Sequence, residues 1–154
     1  MKLTQSKSKV SGNGVKVAII ISRFNDNLGN ELLENCRKAL LDRKVRAADI
    51  VVVKVPGALE IPFLAMRLIE KGEVDVIITL GVVILGDTPH FDYVCGETYR
   101  ALMELNLIGE IPVIFGVLTV LNEAQAVERV SSKGLNKGQE FAESALEMAV
   151  YRKF

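Results

Sequence analysis

The stretch Val74-Asp75-Val76-Ile77-Ile78-Thr79-Leu80-Gly81-Val82-Val83-Ile84-Leu85-Gly86-Asp87-Thr88-Pro89-His90 decides how this chain folds. Val74 to Leu80 is short, β-branched and apolar with little alternation, the pattern of a strand covered on both faces. Gly81 and a short apolar extension follow. Then come a glycine turn, a hydroxyl and the chain's only histidine. In open α/β sheets ligands gather where strands end, so a proton-exchanging imidazole in that place marks a candidate site.

The flanking sequence repeats the theme. Val15 to Ile21 reads as a first buried strand ending at Ser22, and Ile50 to Val55 as a second. Between them, Leu28 to Arg43 places Leu32, Leu33, Cys36, Ala39 and Leu40 on one helical face. Leu59 to Glu70 returns to helical spacing, with Pro62 tolerated in a first turn. A long helix is expected from about Asp92 to about Leu107, a fourth strand from Pro112 to Val120, and helices at Glu123 to Val130 and Lys137 to Tyr151. Such alternation argues an α/β fold: a four-stranded parallel sheet flanked by helices on both faces. Right-handed crossovers bring the strand C-terminal ends to one edge. Those ends are 22–25, 56–60, 82–90 and 115–119, so four segments converge there by topology alone.

Composition narrows the function classes. A chain of 154 residues fits one domain, and an apolar fraction of 49% suits a packed core. Nineteen basic and nineteen acidic residues cancel, leaving no field to draw in nucleic acid or anionic lipid. Apolar windows break well before 18 residues, so no membrane span is expected. The polar, basic start (Lys2, Lys7, Lys9) is no secretory signal, and a cytoplasmic location is expected. Cys36 and Cys95 lack metal-ligand spacing and are expected to be buried, reduced thiols. A single histidine cannot build a histidine-rich metal site.

Each candidate residue carries two readings. Gly86, Asp87 and Thr88 offer a tight turn, a hydroxyl and the start of a helix, where free amides hold anions. Asp87, which would repel a phosphate unless turned away, equally suits helix capping. His90 is a proton carrier or a surface cap. Phe24 could stack on a planar heterocycle while Asn25 binds its polar substituents, or the pair could simply close the core with a turn. Glu60 could receive the hydroxyls of a sugar-like chain or cap its helix. Arg129, Lys133 and Lys137, set among Ser131, Ser132, Gly134, Asn136 and Gly138, are phosphate partners or a solvated surface. No Walker or GxGxxG fingerprint is present.

Taken together, the blocks Ser22-Arg23-Phe24-Asn25, 55–62, 86–94, 112–119, Asn136-Lys137-Gly138 and 145–149 resemble the lumazine synthase family in order and spacing, over nearly the whole chain. The resemblance implies a flavodoxin-like three-layer sandwich and a transferase of riboflavin biosynthesis. The reaction it implies joins 5-amino-6-(D-ribitylamino)uracil to L-3,4-dihydroxy-2-butanone 4-phosphate, giving 6,7-dimethyl-8-ribityllumazine, phosphate and water without metal or redox cofactor. Residues 1–14 would form an arm adding to a neighbouring subunit's sheet, and 15–154 the single catalytic domain. Active sites would lie between subunits of a homopentamer, or of an icosahedral shell of twelve pentamers, with handover of product to riboflavin synthase.

By the same resemblance, Phe24 stacks on the pyrimidine, and Asn25, Ala58, Leu59 and Glu60 place the ribityl chain. Val83 and Ile84 meet the ring edge, and Phe115 arrives from a neighbouring subunit. Gly86, Asp87, Thr88, Arg129 and Lys137 hold phosphate, and His90 transfers protons. The chain departs from the family pattern at Leu85, where arginine is common, and at Asp87, where a small neutral residue is usual. Leu59 replaces an aromatic and Leu135 a glycine. An altered pocket, a binding protein on the same scaffold, or a shell with a purely structural role therefore stand beside the active enzyme.

Overall fold

A computed structural model describes residues 10–152. Four parallel strands, β1 (Val17–Ser22), β2 (Ile50–Val55), β3 (Val76–Ile84) and β4 (Val113–Val120), lie in the order β2-β1-β3-β4. The helices are α1 (Asp26–Asp42), α2 (Ile61–Lys71), α3 (His90–Ile108), α4 (Glu123–Val130) and α5 (Lys137–Tyr151). This is the α/β sandwich expected, with a flavodoxin-like arrangement of layers.

Side-chain alternation along β1 splits the interior into two cores. Val17, Ile19 and Ile21 face α1 and α5, packing with Leu32, Cys36, Leu40, Ala142, Ala145 and Leu146. Ala18 and Ile20 face α2 and α3, packing with Ala58, Ile61, Ala65, Val94 and Leu102. All six β1 residues are buried, as a central parallel strand requires.

Local chemistry sets the element ends. Pro62 sits in the first turn of α2, where its missing N–H costs nothing, and Gly72 ends the helix in the left-handed region at φ 66°. Asn122 and Asn136 cap α4 and α5 by accepting from the Gln125 and Gln139 amides. Gly138 lets α5 approach α1 closely, because a Cβ there would lie 2.5 Å from the Leu32 carbonyl oxygen.

Four expectations change. The third strand does not end at Leu80. It runs on to Ile84 because β4 pairs with it from Ile77 to Ile84, and Gly81 lies within the ladder. Residues 58–60 form a 3-10 turn, so the helix expected from Leu59 begins at Ile61. Helix α3 starts at His90, close to the expected Asp92, but with Pro89 as its N-cap and no side-chain cap, so Asp87 is not a capping residue. Cys36 is buried, whereas Cys95 is only half-buried.

Residues 1–9 of the expected arm lie outside the described residues. Val10 packs against the α1/α5 core of its own chain, and the Gly12 amide donates to the Arg43 carbonyl at 2.6 Å. No helix among the described residues is long and apolar enough to cross a membrane.

Candidate active site

At the C-terminal edge of β1, β2 and β3 the chain encloses a cavity of about 410 Å³. Its wall comes from Ser22 and Phe24 after β1, Gly57 to Glu60 after β2, Val82 to Ile84 in β3, and Gly86, Thr88, His90, Phe91 and Val94 around the start of α3. Three of the four segments expected to converge do so. The fourth, 115–119, is the interior of β4 rather than its end, so it lies away from this cavity.

The β1–α1 connection is built around Asn25. It takes left-handed backbone angles (φ 56°, ψ 48°), which asparagine tolerates better than most residues. Its side-chain Nδ2 donates to the Val82 carbonyl at 2.8 Å, tying the loop to β3. This fixes the residue before it, and Phe24 stands at the rim 72% exposed, an aromatic face with no core role. Asn25 itself does not line the cavity.

After β2, Ala58 is buried while Leu59 and Glu60 are exposed. A Cβ on Gly57 would lie 3.0 Å from the Glu60 carboxylate, so glycine leaves that carboxylate room. The Glu60 carboxylate makes no hydrogen bond or ion pair within the described chain. Its oxygens are open to a ligand.

The β3–α3 turn supplies the remaining wall. Thr88 Oγ1 accepts from the His90 backbone N–H at 3.4 Å, so the threonine, not Asp87, meets the helix start. The His90 ring is exposed toward the cavity and has no protein partner among the described residues. The His90 and Asp92 amides are thus taken by Thr88 Oγ1 and the Pro89 carbonyl, while Gly86, Thr88 and the start of α3 border the cavity, where the positive end of the helix dipole favours an anion. Asp87 and Leu85 are exposed beside the turn but are not lining residues.

Three expected residues lie elsewhere in the single chain. Phe115 is half-buried on β4, its ring edge-on to Tyr99 with centroids 5.6 Å apart. Tyr99 donates its hydroxyl to the Val117 carbonyl, and burial raises its pKa, as does the nearby Cys95 thiol. Arg129 donates to the Gln125 carbonyl at 3.0 Å and stands 3.6 Å from Glu128. Lys137 pairs with Glu140 at 2.7 Å. Neither cation reaches this chain's cavity.

Reading residues in sequence overlooked Ser22, Gly57, Val82, Phe91 and Val94 as lining groups. Ser22 and Gly57 were visible as the last residue of one strand and the turn after another. Val82 lay within the expected 82–90 segment, but its apolar side chain carried no chemistry to single it out. Among the described residues no group of three histidine, cysteine or acidic side chains could hold a metal ion.

The site is therefore a largely apolar slot with an aromatic rim, one free carboxylate, one free imidazole and an anion-ready turn. Comparison with known protein families matches residues 14–153 to 6,7-dimethyl-8-ribityllumazine synthase. With that match spanning nearly the whole chain, on a four-stranded parallel α/β fold, the protein belongs to the lumazine synthase family.

Proposed function

We propose that the chain condenses 5-amino-6-(D-ribitylamino)uracil with L-3,4-dihydroxy-2-butanone 4-phosphate, releasing 6,7-dimethyl-8-ribityllumazine, inorganic phosphate and two waters. The observation that carries this reading is the slot at the strand ends, where Phe24, Glu60, Thr88 and His90 border one cavity and the Glu60 and His90 side chains have no partners among the described residues.

Phe24 stacks on the pyrimidine, Ala58, Leu59 and Glu60 receive the ribityl chain, and Val83 and Ile84 border the ring edge. The 5-amino nitrogen attacks the ketone carbon, and water leaves to give an imine. Loss of a proton from the adjacent carbon expels the β-phosphate and leaves an enol, which tautomerises to a new ketone. The ribitylamino nitrogen attacks that carbon, and a second water departs as the ring closes. His90 is positioned to take and return protons in these steps. Holding two intrinsically reactive partners together supplies much of the remaining rate.

Gly86, Asp87 and Thr88 form the phosphate end. Arg129 and Lys137, which are remote from this chain's cavity, would complete a neighbour's site together with Phe115. Active sites would then lie between subunits of a homopentamer, or of an icosahedral shell. Exposed Phe63, Tyr93 and Leu107 suit such burial, and the free edge of β2 suits addition of residues 1–14 from a neighbour.

Asp87 supports a second reading, a pocket that binds the pyrimidine but discriminates against the phosphorylated partner. Mixing both substrates with purified protein separates the two. Lumazine and phosphate formed in equal amounts, well above the uncatalysed background, support the enzyme. Background rates with retained lumazine binding support the binding pocket.

A further inference from the structure

Ser22 ends β1 and is 2% exposed, yet it lines the cavity. Its hydroxyl makes no hydrogen bond within the described chain. Among the described residues only the Thr98 hydroxyl is both sealed from solvent and unpaired, so the Ser22 hydroxyl opens on the slot instead. Alternation along β1 puts Ser22 on the same face as Ala18 and Ile20, the face toward α2 and α3. The strand register sets it beside Val55 of β2, and a Cβ on Gly81 of β3 would lie 2.6 Å from Ser22 Oγ. Gly81 thus provides the space that the hydroxyl occupies.

We infer that Ser22 is a specificity-determining residue whose hydroxyl hydrogen-bonds the polar edge of the pyrimidine substrate at the floor of the slot. The inference rests on the proposed reaction. Ala58, Val83 and Val94 around it are apolar, so this is the deep polar point of an otherwise greasy wall. The polar groups a polyhydroxy chain needs, such as Glu60, stand at the rim. The phosphate turn Gly86–Thr88 lies after β3, whereas Ser22 leads directly into Arg23-Phe24 and adjoins the strand that feeds Gly57–Glu60. A lone deep hydroxyl suits the carbonyl or N–H edge of a flat ring. A ligand lacking that edge would leave the hydroxyl desolvated and unpaired, which is how a buried polar group rejects a near-isostere.

The test pairs wild type with Ser22→Ala. Steady-state rates are measured with each substrate varied in turn, lumazine binding by fluorescence titration, and thermal unfolding without ligand. The expected result is a rise of roughly 3- to 10-fold in KM for the pyrimidine substrate and in Kd for lumazine, the loss of one neutral hydrogen bond. KM for the butanone phosphate stays unchanged, and Tm holds or rises, because alanine removes an unpaired hydroxyl from an apolar wall. An unchanged pyrimidine KM and lumazine Kd in an active protein would overturn the role of Ser22. So would equal losses for both substrates accompanied by a lower Tm. Should wild type prove inactive yet bind lumazine, the reaction fails while weakened binding by Ser22→Ala still upholds the contact. Absence of lumazine binding by wild type overturns both.

Discussion

Replacing Gly138 by alanine adds one methyl group where α5 crosses α1. The new Cβ would sit 2.5 Å from the Leu32 carbonyl oxygen, 2.8 Å from the Cys36 amide nitrogen and 3.0 Å from Asn35 Cβ. Unstrained contacts need about 3.5 Å, so the helices must part by roughly 0.5–1 Å. Two of the three opposing atoms are backbone, and neither can rotate away. The displaced interface includes Leu32, Cys36, Ala142 and Ala145, all fully buried. Overpacking of this kind costs about 1–3 kcal/mol, and rigid surroundings place Gly138→Ala near ~3 kcal/mol. For a domain of this size that is a fall in Tm of about 6–12 °C.

Gly29 in α1 is the matched control. A Cβ there would meet Ile21 Cδ1 at 3.5 Å and the Ser22 carbonyl oxygen at 3.8 Å, both ordinary contacts. Alanine is the better helix former by roughly 0.5–1 kcal/mol, so Gly29→Ala should hold or gain stability. Urea and thermal unfolding at matched protein concentration read both variants. Finding Gly138→Ala as stable as Gly29→Ala would refute the close-approach reasoning.

Further outcomes follow from other parts of the molecule. His90→Ala should lower kcat about 100-fold yet leave turnover above background, since proton transfer is lost while approximation survives; rates with saturating substrates measure this. Arg129→Ala should raise KM for the butanone phosphate about 10- to 100-fold with little change for the pyrimidine, as loss of a charged phosphate contact requires. Burial pushes the Cys36 thiol from its ordinary 9.0 up to about 12. The folded chain then keeps a proton that the unfolded chain releases, so this contribution is complete below pH 9 and is lost between pH 9 and 12. Stability should be about 1.4 kcal/mol lower by pH 10, and denaturant titrations across pH 8–10.5 should show Cys36→Ala to be flatter. Thr79→Val removes the 2.8 Å hydrogen bond from a fully buried hydroxyl to the Ile114 carbonyl, and should cost about 1–2 kcal/mol in urea titrations.

Much of the fold was legible because its signals are local. Apolar β-branched runs separated by helical periodicity specify a covered parallel sheet, and the caps Asn122 and Asn136 mark helix starts that match the expected ones. The errors sit where a nonlocal partner decides. Nothing local in Gly81 to Ile84 says whether the strand continues, because pairing with Val117 to Val120 of β4 extends it. Likewise Asp87 has the chemistry of a cap, but the chain turns so that Thr88 meets the helix start instead.

The candidate site divides the same way. Phe24, Glu60, Thr88 and His90 carry side chains whose chemistry is readable one residue at a time, and their positions after apolar runs are a matter of sequence order. That order alone specified the α/β class, the sheet edge where a ligand would collect and the family resemblance. Tertiary structure alone decided that Asn25 turns its amide onto Val82, that Phe115, Arg129 and Lys137 stand apart from the chain's own cavity, and that the Ser22 hydroxyl opens on the slot with no hydrogen-bond partner among the described residues. The physical reason is that propensity and periodicity act over a few residues, whereas hydrogen-bond partners and burial depend on segments that meet only when the sheet is assembled.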